Sequence, residues 1–297
     1  GREAQEVAFT LVASESMRLC QPKYAAAVGV FYTGAQDKGD PSSWSNTAHV
    51  MVAGGIIPTA EGGQYTASDT VDIFREDSID GVTGKAKITK LPVQLLPYPP
   101  RFEMTSCCFK HQCVFAGGRV SMGTGGLGFN SDRAEVWDGS SWSFSAWGEH
   151  TLSEARHNMG SAVIEITMGK EKRTVGMFAA GVSNTSNSSM VDMYDFGENR
   201  LLPRMSTPTV RGATQGVSFS REVAAFFGPT GKIDVFDGRS LCWMSYQAGE
   251  FLPGTSVVGR SPAWFFNKTS PGFQPGSGGG IDGESAEAST AFVGGGL

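Results

Sequence analysis

One order of features returns along the chain and limits what it can fold into. A basic residue opens a small, apolar segment. A second apolar segment follows and ends at glycine or a small-residue pair. After a connection of variable length comes a segment that alternates acid, aliphatic and aromatic residues. The openers read PKYAAAV, PRFEMTS, ARHNMGS, VRGATQG and GRSPAWF, which places Lys23, Arg101, Arg156, Arg211 and Arg260 at equivalent positions. The second segments read HVMVAGG, CVFAGG, VGMFAAG, VAAFFG and TAFVGG, ending at Gly55, Gly118, Gly181, Gly228 and Gly295. The third read DTVDIF (69–74), RAEVWD (133–138), MVDMYD (190–195) and KIDVFD (232–237). Repetition at this spacing is the mark of an array of similar supersecondary units.

Each piece has a physical reason. The apolar runs are short and β-rich, as strands buried on both faces are. Alternation in the third segment sends neighbouring side chains to opposite faces of a sheet. SSWSFSAW (140–147) and SLCWMS (240–245) supply candidates for a fourth, outer strand. Charged residues are only 18% of the chain and glycine is abundant at 40 residues, which suits many strands joined by tight turns.

The set resembles the Kelch motif. The clearest match is AGG at 116–118, EVWDG at 135–139, Trp142 and LSEAR at 152–156. The resemblance extends over nearly the whole chain. It implies an all-β fold: one domain over 1–297, a Kelch-like β-propeller of about five four-stranded blades. The best place for a divergent sixth blade is the long stretch 56–96. The third repeat has Ala180 and the fourth Phe227 where the first glycine belongs. The C-terminal repeat offers first and second strands. EVAFTLVA (6–13) and SMRLCQP (16–22) offer a third and fourth, so the last blade is expected to be closed by both chain ends.

The basic set Lys23, Arg101, Arg156, Arg211 and Arg260 has two readings. As a ring at a channel mouth, it would bind an anion or acidic peptide, because guanidinium groups grip carboxylates bidentately. The third strands carry a matching acidic set of Glu6, Asp72, Glu135, Asp192 and Asp234, so the two sets can instead pair blade by blade. Strand parity places the long inserts 56–68 and 119–131 on the same face as the basic openers, and 33–48 and 267–289 on the other. Long loops on a rigid scaffold commonly carry binding. Met122, Leu127 and Phe129 in the 119–131 insert are apolar residues costly to leave in water.

The remaining chemistry is sparse. His49, His111, His150 and His157 occupy unrelated repeat positions without metal-ligand spacing, and the five cysteines include no CxxC pair. No metal or other cofactor is therefore expected. In SCCFKHQCVF, a two-residue turn at Lys110 and His111 would set Phe109 opposite Gln112 and Cys108 opposite Cys113. The two thiols are then either bonded or simply small buried side chains. Asn184, Asn187 and Asn267 head glycosylation triplets. Together with a first residue that is Gly1, read as a processed N-terminus, they permit an organelle-lumen or extracellular location without assigning one.

A net charge of −5 disfavours nucleic acid as a partner, and no apolar stretch is long enough for a transmembrane segment. The resemblance implies a non-catalytic protein-binding or scaffold module, in contact with a protein partner or larger complex. Two alternatives stay open. One is a carbohydrate-binding propeller with a glycan ligand, for which Trp44 is a long-loop aromatic. The other is an enzyme like galactose oxidase, which needs a tyrosine ligand, two histidines and a Cys–Tyr crosslink. No Tyr–His dipeptide, GxSxG elbow or P-loop occurs in the chain.

Overall fold

The computed structural model describes residues 18–34, 47–59, 65–79, 86–97, 99–121, 128–143, 151–228 and 231–247. Among these residues the protein is all-β, and every ladder between its strands is antiparallel. The first sheet contains β1 (Ala27–Thr33), β2 (Thr47–Ala53), β5 (Thr70–Ile79), β6 (Ala86–Lys90) and β7 (Gln94–Leu95). A small hairpin of β3 (Ile56–Pro58) and β4 (Tyr65–Ala67) is inserted in it.

The second sheet is β9 (Thr105–Phe109), β10 (Gln112–Ala116), β12 (Ala134–Trp137) and β13 (Trp142–Ser143). Alongside it lies the ladder of β8 (Arg101–Phe102) with β11 (Arg119–Val120). The third holds β15 (Gly160–Met168), β16 (Glu171–Ala179), β18 (Ser188–Asp195), β19 (Arg200–Leu201) and β20 (Met205–Arg211). The ladder of β14 (Arg156–His157) with β17 (Val182–Ser183) accompanies it. The fourth is β21 (Gln215–Ser220), β22 (Val223–Phe227), β23 (Lys232–Asp237) and β24 (Cys242–Gln247), in that order.

The described part of 56–96 joins the first sheet or its hairpin and forms no separate four-stranded sheet. Of the closing blade expected from both chain ends, only 18–22 are described, and they form no strand: Cys20 and Gln21 instead bond to Asp72 and Thr70 of β5. The rest of that blade lies outside the described residues.

Successive sheets pack face to face, and three apolar cores fill the gaps between them. Phe115, Phe178 and Phe226, all from second strands, are fully enclosed. Their first strands β1, β9, β15 and β21 contact one another in chain order. Serine side chains stitch these strands together: Ser106 Oγ donates to the Val28 carbonyl, Ser161 Oγ to that of Ser106, and Ser218 Oγ to that of Val163.

A second series of bonds runs along the opener end. Glu103 N–H donates to Ala25, Asn158 to Glu103 and Thr214 to Asn158. Ala25, Glu103 and Asn158 each lie two residues after a basic opener and have φ of 50°, 55° and 53°. That left-handed turn is costly for residues other than glycine, and only Asn158 is of a type that favours it.

The glycine pair does more than turn the chain. Gly117 has φ +65°, and a Cβ there would lie 2.3 Å from the Arg156 carbonyl of the next sheet. Its neighbour Gly118 donates to that same carbonyl, as Gly55 does to the carbonyl of Arg101. Where Ala180 replaces the first glycine, at φ 58°, no equivalent bond joins Gly181 to the Arg211 carbonyl.

The β9–β10 hairpin has the register its sequence predicts, with Phe109 opposite Gln112 and Cys108 opposite Cys113. The two cysteines are bonded, with Cα atoms 4.1 Å apart. Gly29 of β1 packs directly on the disulfide: a Cβ there would be 2.6 Å from Cys108 Sγ and 3.1 Å from Cys113 Sγ. Gly29→Ala is therefore expected to destabilise the protein by about 1–3 kcal/mol through overpacking. The penalty should shrink in a Cys108→Ala/Cys113→Ala background, a comparison that urea unfolding of the four variants makes directly.

Candidate functional site

The basic openers sit where each first strand begins. Lys23, Arg101, Arg156 and Arg211 are completely enclosed, and each meets the acid of the third strand in its own repeat. Lys23 Nζ is 3.0 Å from Asp72 and Arg211 Nη2 is 2.5 Å from Asp234, while Arg101 pairs with Glu135 and Arg156 with Asp192.

Each cation also donates to backbone carbonyls. Arg101 Nη1 donates to the carbonyls of Gly117 at 2.9 Å and Arg133 at 3.1 Å. Arg156 Nη1 donates to Ala180 and Met190, and Arg211 Nη1 to Phe226 and Lys232. Lys23 Nζ reaches Thr70 and Val52 in the same way. Each cation thus ties the end of a second strand to the start of a third.

The acid secures the segment that enters the opener. Asp192 accepts from the Ser153 N–H and Oγ, Asp234 from the Thr209 N–H and Oγ1, and Asp72 from the Cys20 N–H and thiol. Burial pushes the guanidinium pKa values of Arg101, Arg156 and Arg211 down. An arginine nevertheless keeps its charge in a protein. To reach these four cations, an external anion would have to displace the acids already on them. The fifth expected member, Arg260, and its acid Glu6 lie outside the described residues.

Exposed chemistry gathers on the same end. Tyr24 bridges Ile56, Phe102 pairs with Arg119 and His157 with Val182, so the described ends of the 56–68 and 119–131 inserts stand beside the openers. The stem of the 119–131 insert is a pinned hairpin. Val120 N–H donates to Phe129, Arg119 bridges Asn130, and Ser131 N–H donates to Gly118. Phe129, on this stem, is 53% exposed. Met122 and Leu127 lie outside the described residues.

Beside the stem, Glu103, Arg119, Asn130 and His157 form a polar notch between the second and third sheets. Asn130 Nδ2 donates to the Val182 carbonyl, so its Oδ1 is the atom that faces His157 Nδ1, at 2.8 Å. Glu103 Oε2 lies 3.7 Å from His157 Nε2 and 3.9 Å from Arg119 Nη1. It is shielded from solvent yet has no hydrogen-bond partner, and Arg119 Nε is in the same condition. Burial pushes the His157 pKa down, the Glu103 charge and a hydrogen bond to the Val182 backbone raise it in part, and Arg119 opposes that rise; the net shift is downward from 6.5.

The sequence pointed to His157 but not to Glu103, Arg119 or Asn130. Their one shared sequence signal is position, just after a basic opener or flanking a glycine-ended strand. Asn184 and Asn187 are exposed on the turn between β17 and β18, and Asn184 Oδ1 accepts from the Asn130 N–H. Asn267 is outside the described residues.

At the opposite end of the strands, a cleft of about 710 Å³ opens between the second and third sheets. On its third-sheet wall Arg173 pairs with Asp195 at 3.0 Å and Glu198 at 2.6 Å. Among the described residues no three His, Cys, Asp or Glu side chains gather into a metal-holding group, and no helix is long and apolar enough to cross a membrane.

No protein-family model matches the chain, and no curated protein does. One solved structure, titled "Structure of YjhT", aligns over 76% of this chain at 12% identity, with a TM-score of 0.45. The aligned part is 65% of that protein's length, just under two thirds.

Two outcomes follow from the buried couples. Arg156→Met leaves the Asp192 carboxylate enclosed without its cation and should cost about 3–5 kcal/mol in denaturant unfolding. Arg156→Met/Asp192→Leu should recover much of that loss. Burial alone would raise the Asp72 pKa, but Lys90, Lys23 and Cys20 hold it down from 3.8 to about 2. A carboxyl depressed on folding stabilises the fold above its unfolded pKa and loses that contribution as pH falls through its folded value. Stability should therefore drop from pH 3.8 towards 2, and Lys90→Met should move the acid-unfolding midpoint upward.

Proposed function

We propose that the chain is a Kelch-like β-propeller of about five blades that works as a non-catalytic protein-binding or scaffold module. The observation that carries the functional part is the pinned stem of the 119–131 insert, which holds Phe129 in solvent beside a rigid sheet end. Exposed aromatic anchors on a preorganised frame are the usual source of interface energy. The buried couples support the same reading, because the repeated charges are engaged in holding the frame together.

The propeller architecture draws support from the chain-order stacking of first strands and from the bonds that pass from opener to opener. On β1, Val28, Val30 and Tyr32 are exposed on the face turned away from the second sheet. A closing blade built from residues 1–17 and 248–297 would cover that apolar face, as neighbours cover the faces between the described sheets.

The functional reading is tested by affinity capture from the native source, followed by titration of the purified partner. Phe129→Ser should leave the unfolding midpoint unchanged. It should weaken the partner by about 2 kcal/mol, roughly thirtyfold. A partner that binds the variant as tightly as the parent would place the contact elsewhere. If the native protein retains no partner at all, the scaffold reading fails.

A further inference from the structure

The Cys108–Cys113 bond belongs to the packed frame. Cys113 is fully buried, Cys108 packs into the same core, and Gly29 of the first sheet closes over both sulfurs. The thiol next in sequence, Cys107, lies on the other face of β9. It is enclosed and hydrogen-bonded to the Ala162 and Met177 carbonyls, and burial pushes its pKa up to about 12. A thiol held neutral does not attack a disulfide. The bond is therefore structural and not an exchange centre. Disulfides of that kind form and persist in oxidising compartments, whereas those of reducing compartments are usually transient and catalytic.

The turn between β17 and β18 projects its side chains. Ser183 is buried beneath it. Its Oγ accepts from the Thr185 N–H at 3.3 Å and the Ser186 N–H at 3.2 Å, and donates to the Ser186 carbonyl at 2.9 Å. Residues 184–187 are left exposed. Asn184 and Asn187 head the triplets Asn-Thr-Ser and Asn-Ser-Ser, whose last hydroxyl completes the acceptor pattern for an N-linked glycan. The two carboxamides differ in their surroundings. Asn184 Oδ1 accepts from the Asn130 N–H at 3.1 Å, which fixes the amide with Nδ2 opposite that bond. Among the described residues this Nδ2 has no hydrogen-bond partner, so a sugar attached there costs no bond. Asn187 lies against Gly212: a Cβ on that glycine would be 2.7 Å from Asn187 Oδ1 and 3.3 Å from its Cγ. A glycan on Asn187 would leave from a carboxamide already packed on backbone.

We propose that Asn184 is a modification site and carries an N-linked glycan. The sugar donor is an oligosaccharide on a polyprenyl pyrophosphate, the substrate of the transferase of the secretory route. Asn184 Nδ2 bonds to C1 of the first sugar as the C1–O bond to the pyrophosphate breaks. The pyrophosphate leaves with the electron pair, and the amide gives up one proton to base. Nothing is oxidised or reduced. Oδ1 is untouched, so the bond from the Asn130 N–H survives the modification. The assignment does not rest on the scaffold reading. It places the glycan beside the stem of the 119–131 insert, to which Asn130 belongs.

The test uses the full protein purified from its native source. Trypsin cuts after Arg173 and Arg200 and releases one peptide, 174–200, that holds both asparagines. A peptide N-glycosidase active on core-fucosylated chains, used in ¹⁸O-water, converts a glycosylated asparagine to ¹⁸O-labelled aspartate. Fragmentation mass spectrometry then places the label. The label should appear at position 184 in most copies, not at 187, and at neither position when the glycosidase is left out. In the source cells, Ser186→Ala removes the hydroxyl but keeps Asn184 and its bond to Asn130. It should abolish the label and the gel-mobility step that the glycosidase removes, with the unfolding midpoint of the deglycosylated protein unchanged. Asn187→Gln should leave label and mobility step in place. The proposal is overturned if position 184 of the native protein remains unlabelled asparagine, if the label sits at 187 alone, or if the Ser186→Ala protein keeps the label at 184.

Discussion

The couple of an enclosed cation with the acid of the third strand is the interaction on which the rest of this structure depends. It recurs as Lys23 with Asp72, Arg101 with Glu135, Arg156 with Asp192 and Arg211 with Asp234. Burying such charges is expensive, and the hydrogen bonds around each couple offset much of that cost. Here the cation also takes the carbonyls at the end of the second strand and the start of the third. Asp72, Asp192 and Asp234 take N–H, hydroxyl or thiol groups of the segment entering the first. One couple therefore fixes the relative position of three strands at the opener end. The Nε of each arginine is shielded and unbonded in all three sheets, so one geometry is reproduced down to its unsatisfied atom.

The placement of the notch follows from this anchoring. Because the opener is held, the residue two places on can be kept in a left-handed turn. That turn brings the Glu103 backbone to Ala25 on one side and to Asn158 on the other. Its carboxylate then faces the opener of the next sheet, where His157 follows Arg156. The stem of the 119–131 insert closes the third side, with Asn130 tied to His157 and to the Val182 carbonyl. A rigid frame made by buried charge thus presents two kinds of surface at one end, an exposed aromatic on the stem and a polar notch beside it.

Much of the local structure was legible because it depends on short-range rules. The third strands lie on the acid–aliphatic–aromatic segments, although the first of them runs on to Ile79. The Cys108 and Cys113 register follows from a two-residue turn, since a hairpin that short leaves one pairing. The match between basic openers and third-strand acids was visible as an order shared by the repeats, with two readings attached. The enclosed side chains and their distances describe the couples, while the 56–68 and 119–131 inserts stand at the opener end where strand parity put them. By contrast, nothing in the residue types of Ala25 or Glu103 announces a positive φ.

The sequence by itself determined an all-β chain of short strands, where those strands fall, and which cation and acid share a repeat. These follow from periodicity, from turn chemistry and from the cost of leaving apolar runs in water. Only the tertiary structure decided that Glu103, Arg119, Asn130 and His157 meet. They come from separate segments of two sheets, and their distances depend on how those sheets stack across cores filled by Phe115 and Phe178. Many small packing contacts set that stacking together. A shift of one ångström in it would separate Glu103 from His157, and no local pattern of residues encodes so small a displacement.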